Sequence, residues 1–76
     1  MSESSLPALT NRELAVLEAV AAGRTTAEIS KELWISEHTI KFHLTNVYRK
    51  LGVSNRTAAV RRALEHGLIT GSAPLG

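Results

Sequence analysis

The side chains best suited to chemistry in this sequence lie in one segment, residues 36–52. At about 100° per residue, its apolar side chains form a single stripe of a helix, which consists of Ile40, Leu44, Val47 and Leu51. The opposite side then carries a cationic, aromatic and polar set: His38, Phe42, Thr45 and Arg49, with Lys41 and Asn46 on its flanks. Such a set offers donors, acceptors and an apolar ring to base edges in the major groove of DNA. Simple solvation of this side does not explain the phenylalanine.

The first turn of this helix is suited to an anion. Ser36 occupies the N-cap position, and Thr39 adds a second hydroxyl. Free backbone N–H groups and the positive end of the helix dipole favour phosphate there. Capping is the basic role of Ser36, and a phosphate contact would be additional. Lys41, Arg49 and Lys50 could each neutralise a phosphate, Lys41 or Arg49 could instead reach a guanine, and each alone could equally be a solvated charge.

The sequence argues against catalysis, metal binding and cofactor binding. It has no cysteine, which excludes disulfides and Cys-based zinc sites. His38 and His43 are five residues apart and lack the i, i+4 spacing of a helical metal pair. Gly23, Gly52 and Gly67 each fall at a predicted helix end rather than in a phosphate-binding loop. We therefore expect neither an enzyme nor a small-molecule site in this chain.

The sequence also lacks membrane and export signals. No apolar run approaches the roughly 18 residues of a membrane span, and no signal-peptide pattern opens the chain. We therefore expect a cytoplasmic location and no membrane partner.

Charge is distributed unevenly along the chain. Residues 1–35 hold three Lys or Arg against five Glu, whereas residues 36–76 hold six against two. A polyanion would therefore be attracted to one side of the molecule. Such a split is also common in small helical domains, so charge alone decides little.

Four helices are predicted to position these side chains. Two capping boxes and two N-cap residues open them, at Thr10–Glu13, Thr25–Glu28, Ser36, and Ser54 or Asn55. The fourth helix carries the apolar residues Val60, Ala63 and Leu64. No segment alternates as a strand does. We expect an all-α domain over residues 9–69, between flexible tails at 1–8 and 70–76.

The second and third helices are joined by only Trp34, Ile35 and Ser36. So short a connection holds the third helix at a steep angle to the second, which is the helix-turn-helix arrangement. We expect Trp34 to pack in or below the core rather than to stack on DNA. For His43, on the flank of the third helix, a phosphate bond and packing toward the second helix remain equal alternatives.

These features resemble one known family, the LuxR-type (FixJ/NarL-type, GerE-like) DNA-binding domain of bacterial transcription regulators. The resemblance covers Leu9 to about Ile69 and rests on many features in register. They are Leu9-Thr10, Arg12-Glu13, Val16-Leu17-Glu18, Ala22-Gly23, Glu28-Ile29, Leu33, Ile35-Ser36, Thr39-Ile40-Lys41, His43, Lys50-Leu51-Gly52-Val53 and Arg56-Thr57-Ala58.

The resemblance implies a four-helix domain whose third helix reads the major groove. It implies that Lys41, Phe42 and Thr45 face bases or adjacent phosphates. It further implies a two-fold dimer contact through the fourth helix, whose outward side is predicted to carry Ala58, Ala59, Arg62 and Glu65. Phe42 and Thr45 depart from the residues common in the family, so a preferred DNA sequence does not carry over from any relative.

The expected function is sequence-specific binding of double-stranded DNA and regulation of transcription, as a weak dimer on paired half-sites. The resemblance implies either a stand-alone protein or the output domain of a larger regulator such as a response regulator. The alternative is a domain like region 4 of sigma factors, or an adaptor, that acts mainly by contacting RNA polymerase. Fold alone does not separate the two.

Overall fold

The computed structural model describes residues 8–69, which form four α-helices and no strand. They are α1 (Asn11–Ala21), α2 (Thr26–Leu33), α3 (Glu37–Leu51) and α4 (Arg56–Glu65). The all-α, four-helix prediction is therefore confirmed. The predicted flexible tails lie outside the described residues, apart from Ala8, which is exposed.

The helices begin where the capping signals place them. Thr10 and Thr25 each accept a hydrogen bond from the backbone N–H three residues on, and Glu13 and Glu28 accept from the cap N–H in return. Both capping boxes are thus confirmed. Ser36 caps α3, and of the two alternatives for α4 the structure selects Asn55.

The third helix ends at Gly52, which has a left-handed backbone with φ +72°. This conformation is costly for a residue with a Cβ atom and natural for glycine. The backbone N–H of Val53 then reaches the carbonyl of Tyr48 at 2.9 Å, which closes the helix end. The chain can therefore turn sharply toward α4.

Two apolar clusters form the core, and α3 contributes to both. The first joins α1, α3 and α4 through Leu17, Val47, Leu51, Ala59, Ala63 and Ile69. The second joins α1, α2 and α3 through Val16, Val20, Ile29, Ile40 and Leu44. The predicted inner stripe of α3 is therefore confirmed, with Tyr48 half-buried at its margin. Packing on both sides fixes the rotation of α3 about its own axis.

An ion pair adds a polar link between α1 and α3. Nζ of Lys50 lies 2.6 Å from Oε1 of Glu13, and the side chains are 23% and 6% exposed. Nζ also donates to the carbonyl of Ala8 at 3.3 Å. The pair anchors the end of α3 to the start of the first helix.

The turn between α2 and α3 corrects the expectation for Trp34. Its backbone is left-handed, with φ +59°, and the residue is 91% exposed. The neighbours Leu33 and Ile35 both pack against the core. Because they take the inward positions of this short turn, the indole points outward and does not pack in the core.

Candidate nucleic-acid interface

The outward side of α3 is an exposed ridge with a cation at each end. Lys41, Phe42, Thr45 and Arg49 are exposed along it, and His38 is exposed in the first turn. We call Lys41, Phe42, Thr45 and Arg49 the α3 ridge. Phe42 is 59% exposed, although it is the only phenylalanine of the chain. Asn46 is half-buried on the flank of the ridge, as expected for a shoulder position.

The ridge is positioned by the burial of the opposite side. Ile40, Val47 and Leu51 are fully buried, and they alternate with the ridge residues at helical spacing. Any rotation that hid Phe42 would expose this stripe to water, at about 25 cal/mol per Å² of apolar surface. The ridge is therefore held outward by the core.

The first turn of α3 is closed by local hydrogen bonds. Ser36 Oγ accepts from the backbone N–H of Thr39 at 3.1 Å and shares a 3.0 Å hydrogen bond with Thr39 Oγ1. The capping role of Ser36 is confirmed. Glu37 also lies in this turn, where a carboxylate interacts favourably with the helix dipole. The negative charge of Glu37 would repel a phosphate that approached this turn.

Two hydrogen bonds along the ridge limit the polar groups that remain free to bind a ligand. Thr45 Oγ1 donates to the carbonyl of Lys41 at 3.0 Å. Arg49 donates from its guanidinium to Oδ1 of Asn46 at 2.6 Å. The hydroxyl proton of Thr45 and the amide oxygen of Asn46 are therefore engaged within the helix. Lys41, by contrast, forms no ion pair with any residue in the range 8–69.

The ring of His43 contacts that of Phe42. Their centroids are 5.7 Å apart at an interplanar angle of 60°, which is an edge-on contact. His43 is half-buried, which is compatible with both a phosphate bond and packing toward α2.

Lys50, which we expect to contact DNA, forms an ion pair within the domain. Its ammonium lies against Glu13 and the Ala8 carbonyl on the α1 side of the helix, not on the ridge. Breaking a partly buried ion pair to reach a phosphate would leave the Glu13 carboxylate without its charged partner, which is strongly unfavourable. The sequence missed this because a contact across 37 residues leaves no local signal.

The fourth helix is rotated about its axis relative to our expectation, so that the predicted outward residue Ala59 lies in the core. Ala59 is fully buried in the first cluster, Ala58 is half-buried, and Arg62 is half-buried with its guanidinium donating to the Leu51 carbonyl at 3.2 Å. Of the predicted dimer residues, only Glu65 is exposed. The small residues turn inward because Ala59 and Ala63 let α4 approach the core closely.

The exposed side of α4 instead combines apolar and basic groups. Leu64, one of the apolar residues of this helix, is 43% exposed. It borders a shallow groove between the end of α1 and α4, lined by Val20, Ala21, Arg56, Thr57, Val60, Arg61 and Leu64. The helical spacing of Thr57, Arg61 and Leu64 predicts this exposed side once Ala59 and Ala63 are assigned to the buried side.

Within residues 8–69, no group of three or more His, Cys, Asp or Glu residues is arranged to hold a metal ion. No helix in the same range is long and apolar enough to span a membrane.

Comparison with known proteins identifies the family. Residues 7–63 match the family described as bacterial regulatory proteins, luxR family. The quorum sensing-dependent transcriptional regulator RpaR of Rhodopseudomonas palustris is 54% identical over 61 residues, which are 80% of this chain and 25% of that protein. The spore germination protein GerE of Bacillus subtilis is 46% identical over 63 residues, covering 83% of this chain and 85% of GerE.

Solved structures give the same result. The response regulator ChrA of a heme-sensing two-component system superposes with a TM-score of 0.80 at 41% identity, covering 87% of this chain and 33% of ChrA. The transcription factor GerE superposes with a TM-score of 0.78 at 37% identity, covering 82% of this chain and 92% of that one. The fold, the third-helix ridge and these similarities agree: the chain belongs to the luxR family of bacterial regulatory proteins.

Proposed function

We propose that this chain binds double-stranded DNA in a sequence-specific manner and regulates transcription, with α3 in the major groove. The observation that carries the proposal is the α3 ridge, which the buried stripe on the other side of the helix holds toward solvent. The major groove of DNA is wide enough to admit an α-helix. The similarity to transcription regulators supports the same function.

Within this proposal the ridge residues have different tasks. Lys41 and Arg49 neutralise phosphates or reach guanine, while Phe42 and Thr45 face the floor of the groove. His38 lies in the first turn of α3, where Ser36, Thr39 and the helix N-terminus would contact the DNA backbone. Asn46 acts mainly by orienting Arg49.

We further propose that the chain dimerises through α4 on paired half-sites. Leu64 and the half-buried Val60 give the groove beside α4 an apolar centre, and Arg56 and Arg61 line it as well. An antiparallel pairing about the middle of α4 would place Arg56 of one copy near Glu65 of the other. A contact this small would hold the dimer only weakly, and binding to DNA would stabilise it.

One observation favours the alternative function, in which the domain acts through RNA polymerase. Trp34 is 91% exposed and lies in the turn, off the α3 ridge. Exposed tryptophan is enriched at protein interfaces. Affinity for duplex DNA in the absence of polymerase distinguishes the two functions.

The chain spans only 25–33% of relatives such as RpaR and the Bacillus subtilis regulator LiaR. We propose that it acts as a stand-alone protein or as the output domain of a larger regulator.

In vitro selection tests the proposed function. Random duplexes are selected with the purified chain, and affinities for the selected and scrambled duplexes are measured at several salt concentrations. We expect a consensus half-site, a repeat of that site at fixed spacing, and affinity above the electrostatic background. Equal affinity for selected and scrambled duplexes at every salt concentration would refute sequence-specific binding.

A further inference from the structure

The middle of the α3 ridge presents apolar rather than polar groups. Phe42 and Thr45 are exposed three residues apart, which places their Cβ atoms about 5–6 Å from each other on one side of the helix. The hydroxyl proton of Thr45 is committed to the Lys41 carbonyl. What Thr45 adds beside the phenyl ring is therefore mainly its methyl group.

Asn46, the amide side chain next to this pair, is poorly suited to read a base. A bidentate contact with adenine requires both the oxygen and the nitrogen of an Asn amide. Oδ1 of Asn46 already accepts from Arg49 at 2.6 Å, and the side chain is half-buried. Specific recognition at the centre of the ridge thus falls to Phe42 and Thr45.

The phenyl ring is also held in place. His43 braces it edge-on, with the centroids 5.7 Å apart. A ring held in this way loses less conformational freedom on binding than an unsupported one. An exposed apolar pair with limited motion is suited to contact a small apolar group of defined position.

In the major groove, the exposed apolar group of the four standard bases is the C5 methyl of thymine. We infer that Phe42 and Thr45 together form an apolar contact surface for a pyrimidine C5 methyl group, so that site preference depends on this methyl. The inference rests on the proposed function, because it assigns the base that α3 recognises. It also predicts that 5-methylcytosine is distinguished from cytosine at the same position.

Uracil scanning of the selected half-site tests the inference. Each thymine is replaced singly by uracil, which keeps the base pair and removes only the methyl. We expect a loss of about three- to tenfold in affinity at one position, the range expected for burial of one methyl group. Cytosine at that position should bind weakly, and 5-methylcytosine should recover about threefold of the loss.

Variants connect the effect to the two side chains. Phe42→Ala should abolish the uracil penalty. Thr45→Val keeps the methyl group and removes the hydroxyl, so the penalty should persist; Thr45→Ser does the reverse, and the penalty should shrink. Because Phe42 and Thr45 are exposed, circular dichroism should show all three variants folded.

The outcomes separate the inference from the proposed function. A consensus half-site with no uracil-sensitive thymine, or with a penalty unchanged in Phe42→Ala, overturns the methyl contact and leaves DNA binding intact. A penalty that survives in Thr45→Ser and vanishes in Thr45→Val overturns the role of the Thr45 methyl. Failure to select any consensus sequence overturns the proposed function itself, and the inference with it.

Discussion

Glu13 and Lys50 join the first turn of α1 to the last turn of α3, with 2.6 Å between Oε1 and Nζ. The same carboxylate oxygen accepts from the backbone N–H of Thr10 at 3.0 Å. One buried carboxylate therefore caps a helix and anchors the end of the recognition helix. Burial acts to raise the pKa of Glu13, but the hydrogen bonds and charge of Lys50 and the Thr10 contacts outweigh it, so this pKa lies below its ordinary value.

Glu13→Gln should destabilise the domain by about 1–3 kcal/mol at pH 7, since a charged hydrogen bond is lost and Lys50 keeps a partly buried charge. The amide oxygen can still accept from the Thr10 N–H, so the capping box is largely kept. Urea unfolding followed by circular dichroism measures the change. Glu28→Gln is the matched control, because Glu28 closes the equivalent box of α2 in an exposed setting; an equal loss in both variants would contradict a special role for the ion pair.

The stability of the wild-type domain should depend on pH through Glu13. A carboxyl whose pKa is lowered by folding stabilises the native state fully above its unfolded pKa, about 4.3 for Glu. We expect the stability difference between wild type and Glu13→Gln to be constant near neutral pH. It should fall as the pH drops below about 5 and through the native pKa. A difference that is independent of pH down to pH 3 would show that the carboxylate charge is not involved.

Lys41→Ala and Arg49→Ala should each weaken DNA binding and reduce the salt dependence. Where the contact is to phosphate, the slope of log K against log salt should fall by about 0.9 per residue. Titration of a labelled duplex at four salt concentrations measures both. Arg12→Ala removes the same charge from an exposed position on α1 and should leave the slope nearly unchanged; an equal reduction would mean that net charge, not the ridge, is responsible.

Leu64→Glu should abolish cooperative binding to paired half-sites and leave binding to a single half-site in place, because Leu64 is exposed on α4 and lines a groove to which no α3 ridge residue contributes. Analytical ultracentrifugation and gel shifts on one and two half-sites measure this. Unchanged cooperativity would exclude this side of α4 as the dimer contact. Ala59→Glu is not equivalent, since it buries a charge in the core and should unfold the domain.

Trp34→Gly should stabilise the domain by about 0.5–1 kcal/mol. A residue with a Cβ atom pays about 1–2 kcal/mol for a left-handed backbone, part of which is offset by the greater freedom of glycine in the unfolded chain. The indole is 91% exposed, so its removal loses little packing. Trp34→Ala retains the strain and should show no such gain in thermal unfolding.

The sequence predicted the parts of the structure that local chemistry determines. Capping boxes at Thr10 and Thr25, the N-cap Ser36 and the buried stripe ending at Leu51 all lie where predicted, because each depends on neighbours within one or two turns. The exposure of Phe42 follows from the same periodicity.

The features that the sequence did not predict depend on contacts between distant segments. Whether Lys50 faces solvent or Glu13 is decided by the packing of α1 against α3. The orientation of α4 is decided by how closely Ala59 can approach Leu17 and Val47 in the shared cluster, not by the amphipathic pattern, in which alanine is ambiguous. The exposure of Trp34 is decided by its neighbours Leu33 and Ile35, which pack against the core and leave the residue between them on the outside of the turn.

The third helix packs into one apolar cluster on each flank. This arrangement has a consequence for how such domains diversify. None of the four ridge residues belongs to either cluster, so substitutions there leave the packing of the core intact. New operator preferences can therefore arise by substituting the outer residues of one rod, without compensating changes elsewhere. Regulators built this way can duplicate and acquire separate targets while keeping the same interior.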